Sequence, residues 1–260
     1  MHGKRLAVSL VFLPLFYLYI MYLPPILFFC LLLTVSSIAL LEFYSMYHVR
    51  GMLKYVCLFA GTIFLAISFL DRGYVSDGVI LASAFLLVIR LFMKRDPSSA
   101  LSDIAAPIVG IVYIPGLLSF QGQIRMIGPE WIIFLYATVW AADSVAYYIG
   151  KGIGRQKLYR EVSPNKTVAG AVGSLIGGMA GAVLLQVFLI PRLGTAAALV
   201  IGMLIGIITL TGDLVESMFK RDAGVKDSGT IIPGHGGILD KIDGALFAGP
   251  LLYLILRGLG

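Results

Sequence analysis

Long apolar blocks alternate with short polar connections along this chain, and the blocks are too long and too evenly apolar for a soluble fold. Nine of them run over about 6–23, 26–47, 53–70, 75–93, 103–120, 130–150, 168–190, 194–216 and 239–257. A block of about 20 residues crosses a hydrocarbon core of roughly 30 Å as an α-helix, which satisfies its own backbone hydrogen bonds in lipid. The pattern predicts an all-α, polytopic integral membrane protein with about nine transmembrane helices. Residues 1–260 read as one membrane domain, with generic helices over 1–125 and the longer polar connections within 130–260. Lys4 and Arg5 precede the first block, which lacks a small-residue cleavage site and is read as an anchor helix.

Composition agrees with the pattern: 59% of residues are hydrophobic and 13% charged, with a mean hydropathy of +0.94 that lies outside the soluble globular range. Cys30 and Cys57 sit inside apolar blocks without metal-ligand spacing and read as packing residues. The pI near 9.3 does not point to nucleic acid, because the cations are divided among connections instead of forming one patch. Their division fixes an orientation. With the N-terminus cytoplasmic and each block crossing once, only Arg72, Arg125, Arg192 and Arg257 of the 20 basic residues fall on the outer side. That is a strong positive-inside bias. The long polar segments 151–167 and 217–238 are then both cytoplasmic, the connection near Gln121 is external, and a water-soluble substrate arrives from the cytoplasm.

Charge is scarce, so where it gathers is informative. In "TGDLVESMFKRD", Asp213 and Glu216 are three residues apart on one helical face, and in "LDKIDG" Asp240 and Asp243 repeat that spacing where the ninth block begins. Asp143 lies deep in the sixth block. Carboxylates at such depths are costly unless paired, hydrated or metal-bound, and hard oxygen donors suit Mg²⁺ better than zinc. The stretch "VKDSGTIIPGHGGILDKID", 225–243, adds Lys226, Asp227 and a glycine-flanked His235. His2 and His48 read as solvated. The other polar segment carries Lys151, Arg155, Lys157, Arg160 and Lys166, a set suited to anionic headgroups. Its "SPNKT" sets Ser163, Lys166 and Thr167 just before a helix start, where backbone N–H groups favour a phosphate. Gly173, Gly177 and Gly181, like Gly202 and Gly206, have the spacing of close helix packing.

In order, Ser217, Lys220, Arg221, Lys226, Asp227, Ser228, Gly229, Pro233, His235, Gly236, Gly237, Asp240 and Asp243 form a gap-free series. It closely resembles the signature of the phosphatidate cytidylyltransferases, or CDP-diacylglycerol synthases. "SPNKT" and the "AADSVAY" helix resemble upstream elements of that family, so the resemblance covers roughly 140–250. One departure is Lys241, where the family usually has arginine, so the charge is kept and the bidentate fork lost.

The resemblance implies that CTP and phosphatidate give CDP-diacylglycerol and diphosphate, with Mg²⁺ as cofactor and the number of cations left open. It implies membrane lipid as partner, a homodimer, and a bacterial inner membrane with a cytoplasmic active site. On that reading Asp213 and Asp240 are the primary metal ligands and Asp227 and Asp243 assist. Lys166, Lys220, Arg221 and Lys226 hold phosphates, and His235 meets a phosphate oxygen or the leaving group. Asp143, Ser163, Thr167, Ser217, Ser228, Gly236, Gly237 and Lys241 complete the substrate site. Two other readings stay open on the residues themselves: a CTP-using membrane enzyme with an isoprenoid acceptor, and an ion-coupled transporter.

Overall fold

The computed structural model describes residues 13–70, 75–94, 96–231 and 236–259. It is a bundle of helices with one small hairpin. A short α1 (Leu13–Tyr22) leads to α2 (Pro25–Met46), α3 (Gly51–Leu70), α4 (Val75–Met93) and α5 (Ala100–Ile111). A π-helical turn, Val112–Gly116, joins α5 to α6 (Leu117–Ile127), and α7 (Pro129–Ile153) follows. Then come β1 (Lys157–Tyr159), β2 (Ser163–Thr167), α8 (Val168–Leu189), α9 (Thr195–Asp222) and α10 (Leu239–Leu259). Six helical spans among the described residues are long and apolar enough to cross a membrane: α2, α3, the continuous α5–α6, α7, α8 and α9.

Segment 151–167, expected as a loop within an all-α chain, folds in part into an antiparallel hairpin. Lys157 pairs with Thr167 and Tyr159 with Ser163, with an irregularity between. Strands this short and polar leave no two-residue hydrophobic period to read. A second correction concerns Gln121. It lies not in an external loop but inside α6, fully buried, donating to Ala245 O at 3.1 Å and accepting from Tyr136 Oη at 2.7 Å. Pro107 and Pro115 fall inside the α5–α6 span, but the π turn accommodates the break and the helix continues to Ile127.

Small residues set the closest packing. A Cβ on Gly177 would lie 2.6 Å from Ala141 O of α7, and one on Gly206 would lie 2.5 Å from Ser174 O of α8. Ser174 Oγ then donates to Gly206 O at 2.9 Å. Thus α8 is wedged between α7 and α9, and α9 carries α10 on its other side. Gly212 of α9 meets the backbone of Asp243, to which its Cβ would approach within 2.6 Å.

The connections separate to two ends. At one end Tyr47 Oη donates to Asp222 Oδ2 at 2.9 Å, and Arg221 Nε to Val162 O at 3.3 Å. These bonds draw together the ends of α2 and α9 and the hairpin. At the other end Arg125 donates to Leu23 O at 2.8 Å, and Arg192 pairs with Glu130 at 2.8 Å.

Candidate active site

Where α7 ends and α8 begins, a cavity of about 700 Å³ opens at the end that holds the hairpin. Thr167 ends β2 and caps α8, its side chain accepting from Gly170 N at 3.1 Å. The N-terminus of α8 and the hairpin therefore form one wall. Gly150, Gly154 and Gly170 keep the cavity clear, since side chains there would meet the Thr167 hydroxyl. Asp143 of α7 and Asp213 of α9 both line it, with Lys166 ion-paired to Asp213. Ser163, Asn165, Lys151 and Lys157 add polar groups, while Tyr147, Ala171 and Leu210 supply apolar wall. A cavity with cations, hydroxyls, carboxylates and an apolar side is suited to a phosphate that carries an apolar body.

The same face of α9 leads away from the cavity. Ser217 Oγ donates to Asp213 Oδ1 at 3.3 Å. One turn on, Lys220 lies 2.5 Å from Glu216 Oε2 and 2.6 Å from Asp240 Oδ1. Glu216 is only 1% exposed, and its Oε1 has no hydrogen-bond partner among the described residues. Asp240, in the first turn of α10, has a second set of donors: Ser228 N at 3.0 Å, Ser228 Oγ at 2.8 Å and Gly237 N at 2.8 Å, all on Oδ2. Gly236 has φ +90°, and a Cβ there would strike Asp240 Oδ2 at 2.6 Å, so the loop closes over the carboxylate only with glycine at that point.

One residue of this assembly was not anticipated. Glu42, near the end of α2, is 6% exposed. Its carboxylate accepts from Ile238 N at 3.0 Å and Leu239 N at 2.9 Å, and more distantly from Ser228 Oγ at 3.4 Å. It therefore supplies the negative charge that the start of α10 favours, and satisfies N–H groups no helical carbonyl can reach. The sequence did hold a signal. Glu42 is the only Asp, Glu, His, Lys or Arg in α2, and an isolated charge in such a block marks a functional position by default.

The structure brings Asp143, Ser163, Lys166, Thr167 and Asp213 to one cavity, and Lys220, Ser228, Gly236, Gly237 and Asp240 to one network beside it. It does not bring Asp213 and Asp240 together directly: Lys166 holds the first and Lys220 the second. Asp243, three residues after Asp240 in α10, has its backbone against Gly212, the neighbour of Asp213. Lys226, Asp227 and Lys241 are exposed. Arg221 is engaged with Val162 O and Val225 O, tying loop to hairpin. Pro233 and His235 lie outside the described residues.

Among the described residues, no three His, Cys, Asp or Glu side chains close on a point that would hold a metal ion. Mg²⁺ requires less, since one or two carboxylates suffice when water and substrate phosphate fill its shell. Asp240 fits poorly because both its oxygens are occupied by donors. The Asp213–Asp243 pair fits by its chemistry: both are hard oxygen donors, Asp213 lines the cavity, and the backbone of Asp243 lies against Gly212 beside it. Among the described residues, outside the carboxylate oxygen held by Lys166, Asp213 has only the long bond from Ser217, and Asp243 accepts only from its neighbour Gly244 N at 2.8 Å.

Comparison with known proteins gives the family. The model of the cytidylyltransferase family matches residues 3–259. A phosphatidate cytidylyltransferase of Bacillus subtilis is 31% identical over 234 residues, 87% of each chain. One of Staphylococcus saprophyticus is 37% identical over 177 residues, 68% of each chain. One of Synechocystis is 53% identical over 125 residues, 46% of this chain and 41% of the relative.

Proposed function

The chain belongs to the cytidylyltransferase family, and from that premise we propose that it transfers the cytidylyl group of CTP to phosphatidate, giving CDP-diacylglycerol and diphosphate. The observation that carries the reading is the cavity in which Lys166, the start of α8 and the carboxylates Asp143 and Asp213 meet. A nucleoside triphosphate and a lipid phosphate both need such a place.

The reaction sets the task of these residues. A phosphate oxygen of phosphatidate attacks the α-phosphorus of CTP, the new P–O bond forms, and the bond to the β-phosphate breaks to release diphosphate. The attacking oxygen is already anionic, so no strong base is required. What is needed is to bring anions together and to stabilise charge on the phosphoryl oxygens and leaving group. Lys166, ion-paired with Asp213, turns to a phosphate oxygen when nucleotide binds, assisted by Ser163, Asn165 and the N–H groups at the start of α8. Asp213 and Asp243, with Asp143 nearby, would hold Mg²⁺, which would neutralise charge on the triphosphate. Lys220, Asp240 and Glu42 act on this site by holding Ser228, Gly237 and the α10 start in register. Lys226, Asp227 and His235 supply further groups from that loop.

The membrane arrangement follows the charges. Nine crossings, with the N-terminus in the cytoplasm of a bacterial cell and the chain in its inner membrane, put the cavity on the cytoplasmic face where CTP is available. Tyr147, Ala171 and Leu210 give the acyl end of phosphatidate an apolar path from the bilayer. A homodimer is part of this proposal.

The test is acceptor choice. Purified protein with CTP and Mg²⁺ is offered phosphatidate or a polyprenol-type isoprenoid in mixed micelles, and the lipid product is identified by mass. CDP-diacylglycerol from phosphatidate alone supports the reading. A nucleotide-linked or phosphorylated isoprenoid, with no CDP-diacylglycerol, overturns it.

A further inference from the structure

A second polar cavity, of about 380 Å³, lies at the same end of the molecule between the α2–α3 and α4–α5 connections, and it shares no lining residue with the first. Arg50, Arg90 and Lys94 line it against a single carboxylate, Asp103. That carboxylate is already crowded. Its Oδ2 accepts from Arg90 Nε at 2.8 Å, Lys94 Nζ at 3.1 Å and Ser99 Oγ at 2.9 Å. The Asp96 carboxylate, which does not line the cavity, accepts from the backbone and hydroxyl of Ser98 and lies within electrostatic reach of Arg90 and Lys94. The Arg90 residue is only 6% exposed, so part of this excess positive charge stands at the edge of an apolar core.

His48, which also lines the cavity, is the only non-glycine among the described residues with a positive φ, at 54°. That φ belongs to the C-terminal cap of α2, where His48 N donates to Ser45 O at 3.2 Å and Val49 N to Tyr44 O at 2.9 Å. The cap turns the chain out of α2 into the connection whose Arg50 lines the cavity together with Lys94. Leu53 and Met93 form the apolar side of the lining. The neighbouring faces of α3 and α4 bear exposed Met52, Tyr55, Leu91 and Phe92, surface that suits acyl chains.

We propose that this cavity binds the phosphate of an acidic phospholipid, seated between Arg50 and Lys94 with its acyl chains along α3 and α4. Three cations against one carboxylate call for an anion, and the apolar flank on two membrane helices favours an anion attached to lipid over one free in solution. The site is independent of the cytidylyl transfer reaction. It takes a phosphodiester headgroup that is not consumed.

The test uses the full chain, stripped of lipid and returned to neutral phosphatidylcholine nanodiscs with phosphatidylglycerol added in steps. Native mass spectrometry after release reads the tightly retained phosphatidylglycerol. Wild type should keep one such lipid, and Arg50→Gln and Lys94→Gln should each weaken its retention by about tenfold or more, the loss of one charge-assisted bond. Arg192→Gln, at the opposite end, should match wild type. Gel filtration of each variant separates lost binding from lost fold, and Arg50→Gln should keep its elution position. Inorganic phosphate added at the same stage should not displace the lipid. Equal retention by wild type and both cavity variants overturns the proposal, and displacement by inorganic phosphate overturns the lipid as its source.

Discussion

Replacing Glu42 by glutamine changes one atom in a helix that carries none of the family's signature residues, yet the structure predicts a large loss of turnover. The carboxylate of Glu42 holds Ile238 N and Leu239 N at 3.0 and 2.9 Å. A glutamine can turn its oxygen to one of these donors but must then set its NH₂ group against the other. Hydrogen bonds to a charged acceptor contribute about 1.5–3 kcal/mol each, and a charge at a partly buried helix start adds up to about 2 kcal/mol. Losing one bond and the charge weakens the seat of α10 and its preceding loop by roughly 3 kcal/mol. At about 1.4 kcal/mol per factor of ten, the correctly seated fraction falls by up to about a hundredfold once the seat is no longer dominant. Cytidylyl transfer by Glu42→Gln should therefore drop tenfold to a hundredfold in kcat. Amide exchange should rise at Ser228 and Gly237, whose N–H groups donate to Asp240. Exchange in α2 should hold steady, because Phe43 and Tyr44 beside Glu42 remain buried in the core. Wild-type turnover together with unchanged exchange at Ser228 and Gly237 would refute the reasoning.

Four further outcomes follow. Asp213→Asn should lower turnover by about a hundredfold, the scale of transition-state electrostatics, raise the Mg²⁺ concentration needed for half-maximal rate, and leave thermal unfolding nearly unchanged; unaltered Mg²⁺ dependence would remove Asp213 as a ligand. Asp240→Asn breaks a buried ion pair with Lys220 and should cost about 3 kcal/mol of stability as well as activity, so its unfolding midpoint should fall where that of Asp213→Asn does not. Lys241→Arg should keep near-full activity and Lys241→Ala should lose much of it; a fully active alanine variant would make the cation dispensable. For orientation, cysteines at the exposed positions Thr230 and Thr195, in a background free of Cys30 and Cys57, should react with an impermeant thiol reagent from opposite faces. Labelling of Thr230→Cys from outside intact cells would overturn the cytoplasmic site.

What the sequence made legible was what local spacing controls. The apolar blocks mark the helices because membrane-crossing length is a one-dimensional property. Gly177 and Gly206 were readable as packing positions because three-residue gaps place small residues on one face. Thr167 was readable beside a helix start because capping is local. The misreadings are tertiary. Gln121 looks like a polar loop residue until Tyr136 and Ala245 satisfy it inside the bundle. Spacing likewise does not show that Lys220, expected as a phosphate ligand, pairs with Glu216 and Asp240. Glu42 meets partners almost 200 positions away in the chain, beyond any motif window. The division of Asp213 and Asp240 between two lysines likewise depends on how α9 and α10 are rotated, which spacing alone does not fix.

The central claim is that the α-phosphate of CTP, with its cytidine, passes to the lipid while the β- and γ-phosphates leave together. The most direct measurement follows label from CTP carrying ³²P at either the α or the γ position, with purified protein, Mg²⁺ and phosphatidate. The account predicts α-label in a chloroform-extractable lipid that runs as CDP-diacylglycerol, and γ-label recovered only as water-soluble diphosphate. Lipid labelled from the γ position, as a kinase would give, or no lipid labelled from either position, would contradict it.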